Sequence, residues 1–254
     1  MMLSYKQIGN KNSKCTLVFL HGSTMTKEGM LPFAENFIEH NCIVVDLTAH
    51  GESSGEEPKE IKTFAEDVEE TILKLQQDEI ISKNVVVLGY SMGGAITCEI
   101  ALRKKIDLSG IVILSSGADL SNHTPLVDQL KSVPVEEFHA ADIFDTLFGT
   151  DTPEEEKKVI IETFDSTKVA DEIGYADLMV SNAYNRLEEC KNIDVPTLFV
   201  HGNDDQIVLP TAAIETWKVI PNSQLLMVPY KGHAAIIEDA ETVKKKILSF
   251  VEKL

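Results

Sequence analysis

The fold of this chain is decided by the stretch Val85-Val86-Val87-Leu88-Gly89-Tyr90-Ser91-Met92-Gly93-Gly94-Ala95. Its apolar start predicts a buried β-strand, and Ile96 and Ile100 follow it at helical spacing. The Gly-x-Ser-x-Gly turn between strand and helix is typical of a serine lifted above the edge of a sheet. Ser91 is therefore a candidate nucleophile. The backbone N–H of Met92, at the N-terminus of the predicted helix, points toward an oxygen bonded beside that serine.

Other apolar runs repeat this alternation of strand and helix along the chain. The runs predicted as strands cover residues 3–9, 16–20, 43–47, 110–114, 196–200 and 224–228. Pro32 is well placed to begin a helix whose apolar face includes Ile38. Thr63-Phe64-Ala65-Glu66 has the form of a capping box at the start of the next helix. Together these elements predict an α/β fold with a mostly parallel central sheet, flanked by helices on both faces.

The composition limits the classes of partner. Among 254 residues, 41 Asp and Glu outnumber 23 Lys and Arg, which gives a net charge of -18. Nucleic acid and anionic membrane surfaces repel such a chain, so neither is expected as a partner. The hydrophobic content of 43% and the charged content of 25% are those of an ordinary globular protein.

The sequence also predicts a cytoplasmic protein without a metal site. Its first residues lack the apolar core of a signal peptide, and no apolar run approaches the ~18 residues of a membrane span. The cysteines at positions 15, 42, 98 and 190 are scattered, without C-x-x-C spacing. They are interpreted as reduced and mostly buried.

Residues 117–191 differ from the rest of the chain. They show no apolar strand run, and their amphipathic helical segments are separated by turn residues such as Pro134, Gly149 and Pro153. This segment is predicted to be a helical lid inserted into a core made of residues 1–116 and 192–254. It carries 17 Asp and Glu but only 6 Lys and Arg. We hypothesise that these carboxylates repel anions and favour neutral or cationic substrates.

A serine hydroxyl needs a general base, and an anion must orient that base. Of the seven histidines, His233 is the best candidate because it lies between the last strand and the terminal helix. The others considered are interpreted as solvated (His40, His123, His139), as a hydrogen-bonded core residue (His201) or as a loop residue bordering the pocket (His50).

The carboxylate that orients His233 is expected at the end of the preceding strand. Asp204 and Asp205 are both available there. Since neighbouring residues of an extended loop point in opposite directions, only one of them can meet the imidazole. We prefer Asp205 and interpret Asp204 as a turn or solvent-facing residue.

These motifs together resemble the α/β-hydrolase fold superfamily, and within it the serine esterases and lipases of the acylglycerol-lipase type. The resemblance extends over nearly the whole chain. It is carried by Leu20-His21-Gly22, by Asp46 with His50-Gly51-Glu52-Ser53, by residues 89–94, by Gly202-Asn203-Asp204-Asp205 and by Gly232-His233. The order Ser, Asp, His along the chain is that of the family. Thr48-Ala49 is a departure, because many relatives have Arg-Gly before His-Gly.

The resemblance implies a catalytic triad of Ser91, Asp205 and His233. The residue after His-Gly, here Ser23, would supply a second oxyanion N–H beside that of Met92. The implied reaction is acyl transfer to the serine followed by hydrolysis of the acyl-enzyme, which requires no cofactor and no metal. We expect a carboxylic ester hydrolase acting on small to medium, neutral substrates. The expected partner is a small-molecule ester, and association into a homodimer is compatible with the sequence.

Two other classes of function stay open at this point. A carbon–carbon bond hydrolase, a thioesterase, a peptidase or a menaquinone-pathway lyase would use the same triad. Arg103 and Arg186 are the only arginines. Bidentate clamps would therefore be scarce, which disfavours CoA esters and substrates with several carboxylates. A non-catalytic binding protein that keeps the pocket is the second class.

Overall fold

The computed structural model describes residues 2–254, so Met1, the first residue of the predicted core, lies outside the described part. The described residues form a seven-stranded sheet in the order β1-β3-β2-β4-β5-β6-β7. Its strands are β1 (Tyr5–Gly9), β2 (Cys15–Leu20), β3 (Asn41–Val45), β4 (Asn84–Tyr90), β5 (Gly110–Leu114), β6 (Thr197–Gly202) and β7 (Ser223–Val228). β1 pairs antiparallel with β3, and the other neighbours pair in parallel. The predicted α/β fold with a mostly parallel sheet is confirmed.

Helices connect the strands. The α-helices are α1 (Lys27–Ala34), α2 (Ile61–Gln77), α3 (Met92–Arg103), α4 (Pro125–Leu130), α5 (Glu154–Thr167), α6 (Asp171–Asn182), α7 (Pro210–Val219), α8 (Ala235–Glu238) and α9 (Ala240–Val251). Short 3-10 helices cover Glu35–Phe37, Val135–Glu137, Ala140–Leu147 and Leu187–Asn192. Residues 117–191, called here the β5–β6 connection, are mostly helical.

The sheet is buried on both faces, as its continuous apolar runs predict. Every residue of β3 and β5 is buried. On β2, the ring of Phe19 contacts those of Phe33 and Phe37 at centroid distances of 6.2 and 5.8 Å. Complete burial of such a side chain stabilises the fold by on the order of 2 kcal/mol. Contacts of this kind hold the helical layers onto the strands.

The strand order places a crevice at one edge of the sheet. The chain runs from β2 outward to β3 and then returns past β2 to β4. The loops that follow β2 and β4 therefore diverge, and a crevice opens outside the carboxyl ends of these parallel strands. The loops after β6 and β7 reach the same edge, because these strands run in parallel with the others.

The prediction that Pro32 begins a helix is wrong. Pro32 lies inside α1, which begins at Lys27. The backbone N–H of Lys27 donates to Oδ1 of Asp46 at 2.8 Å, and its Nζ lies 2.5 Å from Oδ2. This distant carboxylate fixes the start of the helix, and a local pattern cannot show it. Ile38, expected on the buried face, is 54% exposed because a 3-10 turn with fewer residues per turn follows the helix.

The predicted capping box is also wrong. α2 begins at Ile61, so Thr63 lies within its first turn, and the N–H of Thr63 donates to the carbonyl oxygen of Glu60 at 3.1 Å. Glu60 precedes the helix without a side-chain cap. The apolar face of the helix is nevertheless buried, including Phe64 and Leu75. Tertiary packing of that face stabilises α2 in place of the cap.

The cysteines are unpaired, as predicted, and those at positions 42, 98 and 190 are buried. Burial, assisted by the charge of Glu39, raises the pKa of the Cys42 thiol to about 12. Such a thiol is unreactive at neutral pH. No helix within residues 2–254 is both long and apolar enough to span a membrane.

Candidate active site

Ser91 lies between β4 and α3 in a strained backbone conformation, with φ 53° and ψ -118°. Such a conformation costs about 1–3 kcal/mol in a residue other than glycine. The two glycines of the turn permit a close approach of chain segments. A Cβ atom on Gly89 would overlap the carbonyl oxygen of Gly93, and one on Gly93 would lie 2.5 Å from that of Leu20. The turn leaves Ser91 half-buried on the wall of a pocket.

The structure brings Asp205 and His233 together. Oδ2 of Asp205 lies 2.8 Å from Nδ1 of His233, and both side chains are buried. Oδ1 of the same carboxylate accepts from the backbone N–H groups of Ile207 and Val208 at 2.9 and 3.0 Å. Because an ionised carboxylate only accepts, Nδ1 carries the imidazole proton and Nε2 is left as the basic nitrogen.

His201 also contacts the Asp205 carboxylate. Its Nε2 lies 3.1 Å from Oδ2 of Asp205 and 2.9 Å from the carbonyl oxygen of Val208. His201 is completely buried, which confirms its interpretation as a hydrogen-bonded core residue. Burial acts to raise the pKa of Asp205, but the charge of His233 and the hydrogen bonds from His201 and His233 outweigh it. The pKa is lowered to about 2.

Ser91 and His233 line the same pocket, which is partly open to solvent. Its polar lining also includes Ser23, Thr24 and Tyr90. The apolar lining consists of Met25, Ile143, Phe144, Leu147, Phe164, Leu178 and Ile207. None of the described residues that line this pocket is Asp, Glu, Lys or Arg. The site therefore suits an uncharged group next to the serine.

The two predicted oxyanion donors belong to segments that flank Ser91. Met92 is the first residue of α3, so its N–H has no acceptor within the helix. Ser23 belongs to the loop after β2, called here the Ser23 loop (residues 21–26). A Cβ atom on Gly22 would lie 3.0 Å from Cβ of Ser91, so this loop passes directly beside the serine.

Asp177 of α6 binds the Ser23 loop and also forms a buried ion pair with His50. Oδ2 of Asp177 accepts from the backbone N–H of Thr24 at 3.0 Å and lies 2.9 Å from Nε2 of His50. Nδ1 of His50 donates to the carbonyl oxygen of Thr48 at 2.8 Å. Burial acts to lower the pKa of His50, but the charge and hydrogen bond of Asp177 outweigh it and raise the pKa to about 9. At neutral pH this contact is an imidazolium–carboxylate pair.

Glu57 completes this cluster. His50, Glu57 and Asp177 each bring one potential metal-ligand atom to this cluster, and the three atoms lie within 4.8 Å of one another. Among residues 2–254 this is the one such group of three or more His, Cys, Asp or Glu side chains. Burial, then the charge of Asp177, raises the pKa of Glu57 to about 7. The proton on the imidazole thus balances the charge of Asp177, and Glu57 is protonated in about half of the molecules at neutral pH. We describe it as an ion pair with a neighbouring carboxyl group and not as a metal centre.

Three other interpretations can be compared with the structure. His123 is not solvated as predicted: it is 7% exposed, and its Nδ1 donates to the carbonyl oxygen of Asp119 at 2.9 Å. Its carbonyl oxygen accepts from the backbone N–H of Leu209 at 2.8 Å, and its Nε2 lies 3.4 Å from Oε2 of Glu215 on α7, so α7 and the residue before it pack against His123. His50, expected in a loop bordering the pocket, is completely buried. Asp204 accepts from the N–H of Thr150 at 3.1 Å and remains partly exposed, as interpreted.

Comparison with known proteins identifies the family. The profile of the alpha/beta hydrolase fold family matches residues 16–240. This chain belongs to the α/β-hydrolase family. The sequence resemblance to that superfamily and to its esterase and lipase members is confirmed.

Several relatives cover most of the chain. Lipase 1 of Psychrobacter immobilis is 26% identical over 247 residues, which cover 92% of this chain and 75% of the lipase. The 2-hydroxy-6-oxononadienedioate/2-hydroxy-6-oxononatrienedioate hydrolase 2 of Pseudomonas putida is 25% identical over 276 residues, which cover 99% of this chain and 92% of that hydrolase. A lipase-esterase related protein from Clostridium acetobutylicum has a TM-score of 0.86 at 26% identity, covering 98% of this α/β hydrolase and 100% of that chain. These relatives support a hydrolase.

Proposed function

We propose that this α/β hydrolase cleaves carboxylic esters of small to medium, neutral substrates through an acyl-enzyme on Ser91. One observation carries the proposal. Ser91 and His233 line a single pocket, and Nδ1 of His233 is bound to Asp205 at 2.8 Å. A serine with an oriented base beside it has the arrangement needed for nucleophilic catalysis.

In the proposed mechanism, Nε2 of His233 accepts the Ser91 proton while Oγ attacks the ester carbonyl carbon. The N–H groups of Ser23 and Met92 hold the oxyanion of the tetrahedral intermediate. His233 then gives the proton to the leaving alkoxide as the ester C–O bond breaks. Water, deprotonated by the same imidazole, attacks the acyl-enzyme and releases the acid and the free serine. Loss of one oxyanion donor in such a site raises the activation free energy by about 3 kcal/mol.

The apolar wall supports the proposed substrate class. An alkyl or aryl acyl group can pack against Met25, Phe144 and Leu178, with about 0.8 kcal/mol gained for each buried methylene. A carboxylate on the substrate would find no cationic side chain among the described lining residues, and its desolvation would oppose binding.

Carbon–carbon bond hydrolysis is the second candidate. By its name, the relative from Pseudomonas putida hydrolyses 2-hydroxy-6-oxononadienedioate, a dicarboxylate that carries a ketone. The same serine and histidine would serve that reaction. The uncharged pocket lining disfavours a diacid, so ester hydrolysis ranks first.

A fluorophosphonate probe and a substrate series test the proposal. We expect one adduct on Ser91 by mass spectrometry, lost in Ser91→Ala. Turnover of p-nitrophenyl acetate and butyrate should exceed that of a vinylogous diketone and of an anionic hemiester. Absence of the adduct in the folded protein would favour a binding protein, and faster turnover of the diketone would reverse the ranking.

A further inference from the structure

We infer that Asp177, on α6 of the β5–β6 connection, is a positioning residue that holds the Ser23 loop in the shape needed for oxyanion binding. The inference rests on the proposed function and adds to it a residue that does not line the pocket. Thr24 follows Ser23 and has φ 67°, a left-handed conformation that a β-branched residue rarely adopts. Such a backbone persists only where its surroundings hold it.

The β5–β6 connection supplies that hold through three hydrogen bonds. The N–H of Thr24 donates to Oδ2 of Asp177 at 3.0 Å, and its carbonyl oxygen accepts from the N–H of Val169 at 2.9 Å. Two residues further on, Oγ1 of Thr26 donates to the carbonyl oxygen of Thr167 at 2.9 Å. Both polar backbone groups of the strained residue are therefore bound by the same segment. The loop cannot relax without breaking these bonds.

The charge of Asp177 strengthens its bond to Thr24. A hydrogen bond to an ionised acceptor is roughly twice as strong as one between neutral groups. A buried carboxylate needs a compensating charge, and His50 supplies it at a distance of 2.9 Å. The side chains of both partners are 0% exposed. The ion pair is thus the reason that a full negative charge can be kept behind the Ser23 loop.

Close packing reinforces the hydrogen bond. Gly174 lies one helical turn before Asp177 on α6. A Cβ atom at this position would lie 2.9 Å from Cγ2 of Thr24. The backbone of α6 therefore rests directly on the strained residue. A methyl group there would push Thr24 aside and leave the Asp177–His50 pair in place.

The test compares Asp177→Asn with Glu172→Gln, which removes one negative charge from the same helix at an exposed position. Turnover of p-nitrophenyl butyrate is measured per fluorophosphonate-labelled site, together with the affinity of a trifluoromethyl ketone that forms a tetrahedral adduct. For Asp177→Asn we expect kcat to fall by about 10–100-fold with KM nearly unchanged, because oxyanion stabilisation acts in the transition state. Affinity for the ketone should fall by a similar factor, and Glu172→Gln should match the wild type.

Gly174→Ala keeps the test decisive if Asp177→Asn folds poorly. Alanine favours the helix interior more than glycine does, which offsets the cost of moving Thr24, so Tm should stay close to that of the wild type. We expect kcat to fall several-fold all the same, a combination that a purely structural role would not produce. Unchanged kcat and ketone affinity in this folded variant would overturn the inference.

Amide hydrogen exchange separates this inference from the proposed function. Exchange at Ser23 and Thr24 should accelerate at least tenfold in Asp177→Asn and remain unchanged in Glu172→Gln. Faster exchange in a protein without esterase activity would contradict the proposed function alone. Unchanged exchange in an active esterase would contradict the positioning role alone.

Discussion

Nε2 of His201 lies 3.1 Å from Oδ2 of Asp205, the oxygen that also contacts Nδ1 of His233 at 2.8 Å. One carboxylate oxygen is thus shared by two imidazoles in a buried site. Since Oδ1 is bound by two backbone N–H groups, the carboxylate has a fixed orientation. His201 thereby contributes to the orientation of His233.

Replacement of His201 by Phe should reduce both activity and stability. The change removes one donor to Asp205 and leaves the carbonyl oxygen of Val208 without its imidazole donor. We expect the free energy of unfolding to fall by about 1–3 kcal/mol. We expect kcat/KM of the folded enzyme to fall about tenfold because the base is less well oriented. Urea denaturation and ester kinetics measure the two effects.

His123→Phe is the matched control, since His123 is also a buried histidine but does not line the pocket. It should lower stability without lowering kcat per labelled site. Equal activity of the two variants would show that the contact between His201 and Asp205 has no part in catalysis.

The strands and the three proposed triad residues could be predicted because each has a local signature. Ser91 lies in a Gly-x-Ser-x-Gly turn, and Asp205 and His233 follow short glycine-containing sequences at strand ends. Parallel strands bring their carboxyl ends to one edge, so local signatures are sufficient to collect these residues there.

Contacts between distant residues could not be predicted in this way. Asp177 meets His50 across 127 positions, and it lies on a helix whose apolar pattern does not distinguish it from solvated carboxylates. The start of α1 depends in the same way on Asp46. A carboxylate inside a predicted helix has the same local pattern whether it is solvated or bound to a remote loop.

Ser91→Gly should be more stable than Ser91→Ala, although both lack the nucleophile. The backbone at residue 91 has φ 53°, where a Cβ atom is strained and glycine is not. Relief of the backbone strain stabilises the glycine variant by about 1–3 kcal/mol. The greater freedom of glycine in the unfolded chain costs about 0.5–1 kcal/mol, so about 1 kcal/mol remains in favour of glycine. Urea denaturation of both inactive variants measures the difference. Equal stability would contradict strain at the nucleophile.

Stability should fall as the pH rises through the titration of His50. Its pKa is raised from 6.5 to about 9, mainly by Asp177 acting against burial. Because the folded-state value is the higher one, the stabilisation is complete below about pH 6.5 and is lost as the pH rises through about 9. The shift corresponds to on the order of 3 kcal/mol. Glu57, with a pKa raised from 4.5 to about 7 by burial, adds a loss in the same direction between those values.

Above about pH 7, neighbouring groups do not reverse this sign. The ring of His21 lies 5.0 Å from that of His50, and burial and then the charge of His50 lower the pKa of His21 to about 3. A lowered folded-state pKa makes stability rise with pH only up to about the unfolded value of 6.5, so His21 opposes the decline mainly below about pH 7. Unfolding free energies measured between about pH 7 and 9 should decline in the wild type and in His139→Gln, whose imidazole is exposed. The decline above pH 7 should be absent in His50→Gln. A decline of the same size in that variant would assign it to another group.

Glu238→Gln should loosen the loop that carries His233. Oε2 of Glu238 accepts from the N–H of Gly232 at 2.8 Å, and Oε1 accepts from the N–H of Gly149 at 2.8 Å and from the hydroxyl of Thr152. The carboxylate thus ties the residue before His233 to the β5–β6 connection. An amide nitrogen cannot accept, so one buried N–H loses its partner at a cost of about 1–3 kcal/mol. We also expect kcat to fall about tenfold, as the imidazole is held less firmly.

Glu241→Gln, on the exposed side of α9, is the control for the loss of one negative charge near this loop. It should retain wild-type kcat and stability. Kinetics per labelled site and urea denaturation distinguish the two variants. If Glu238→Gln kept the kcat of the control while losing stability, Glu238 would stabilise the loop without affecting how His233 meets Ser91.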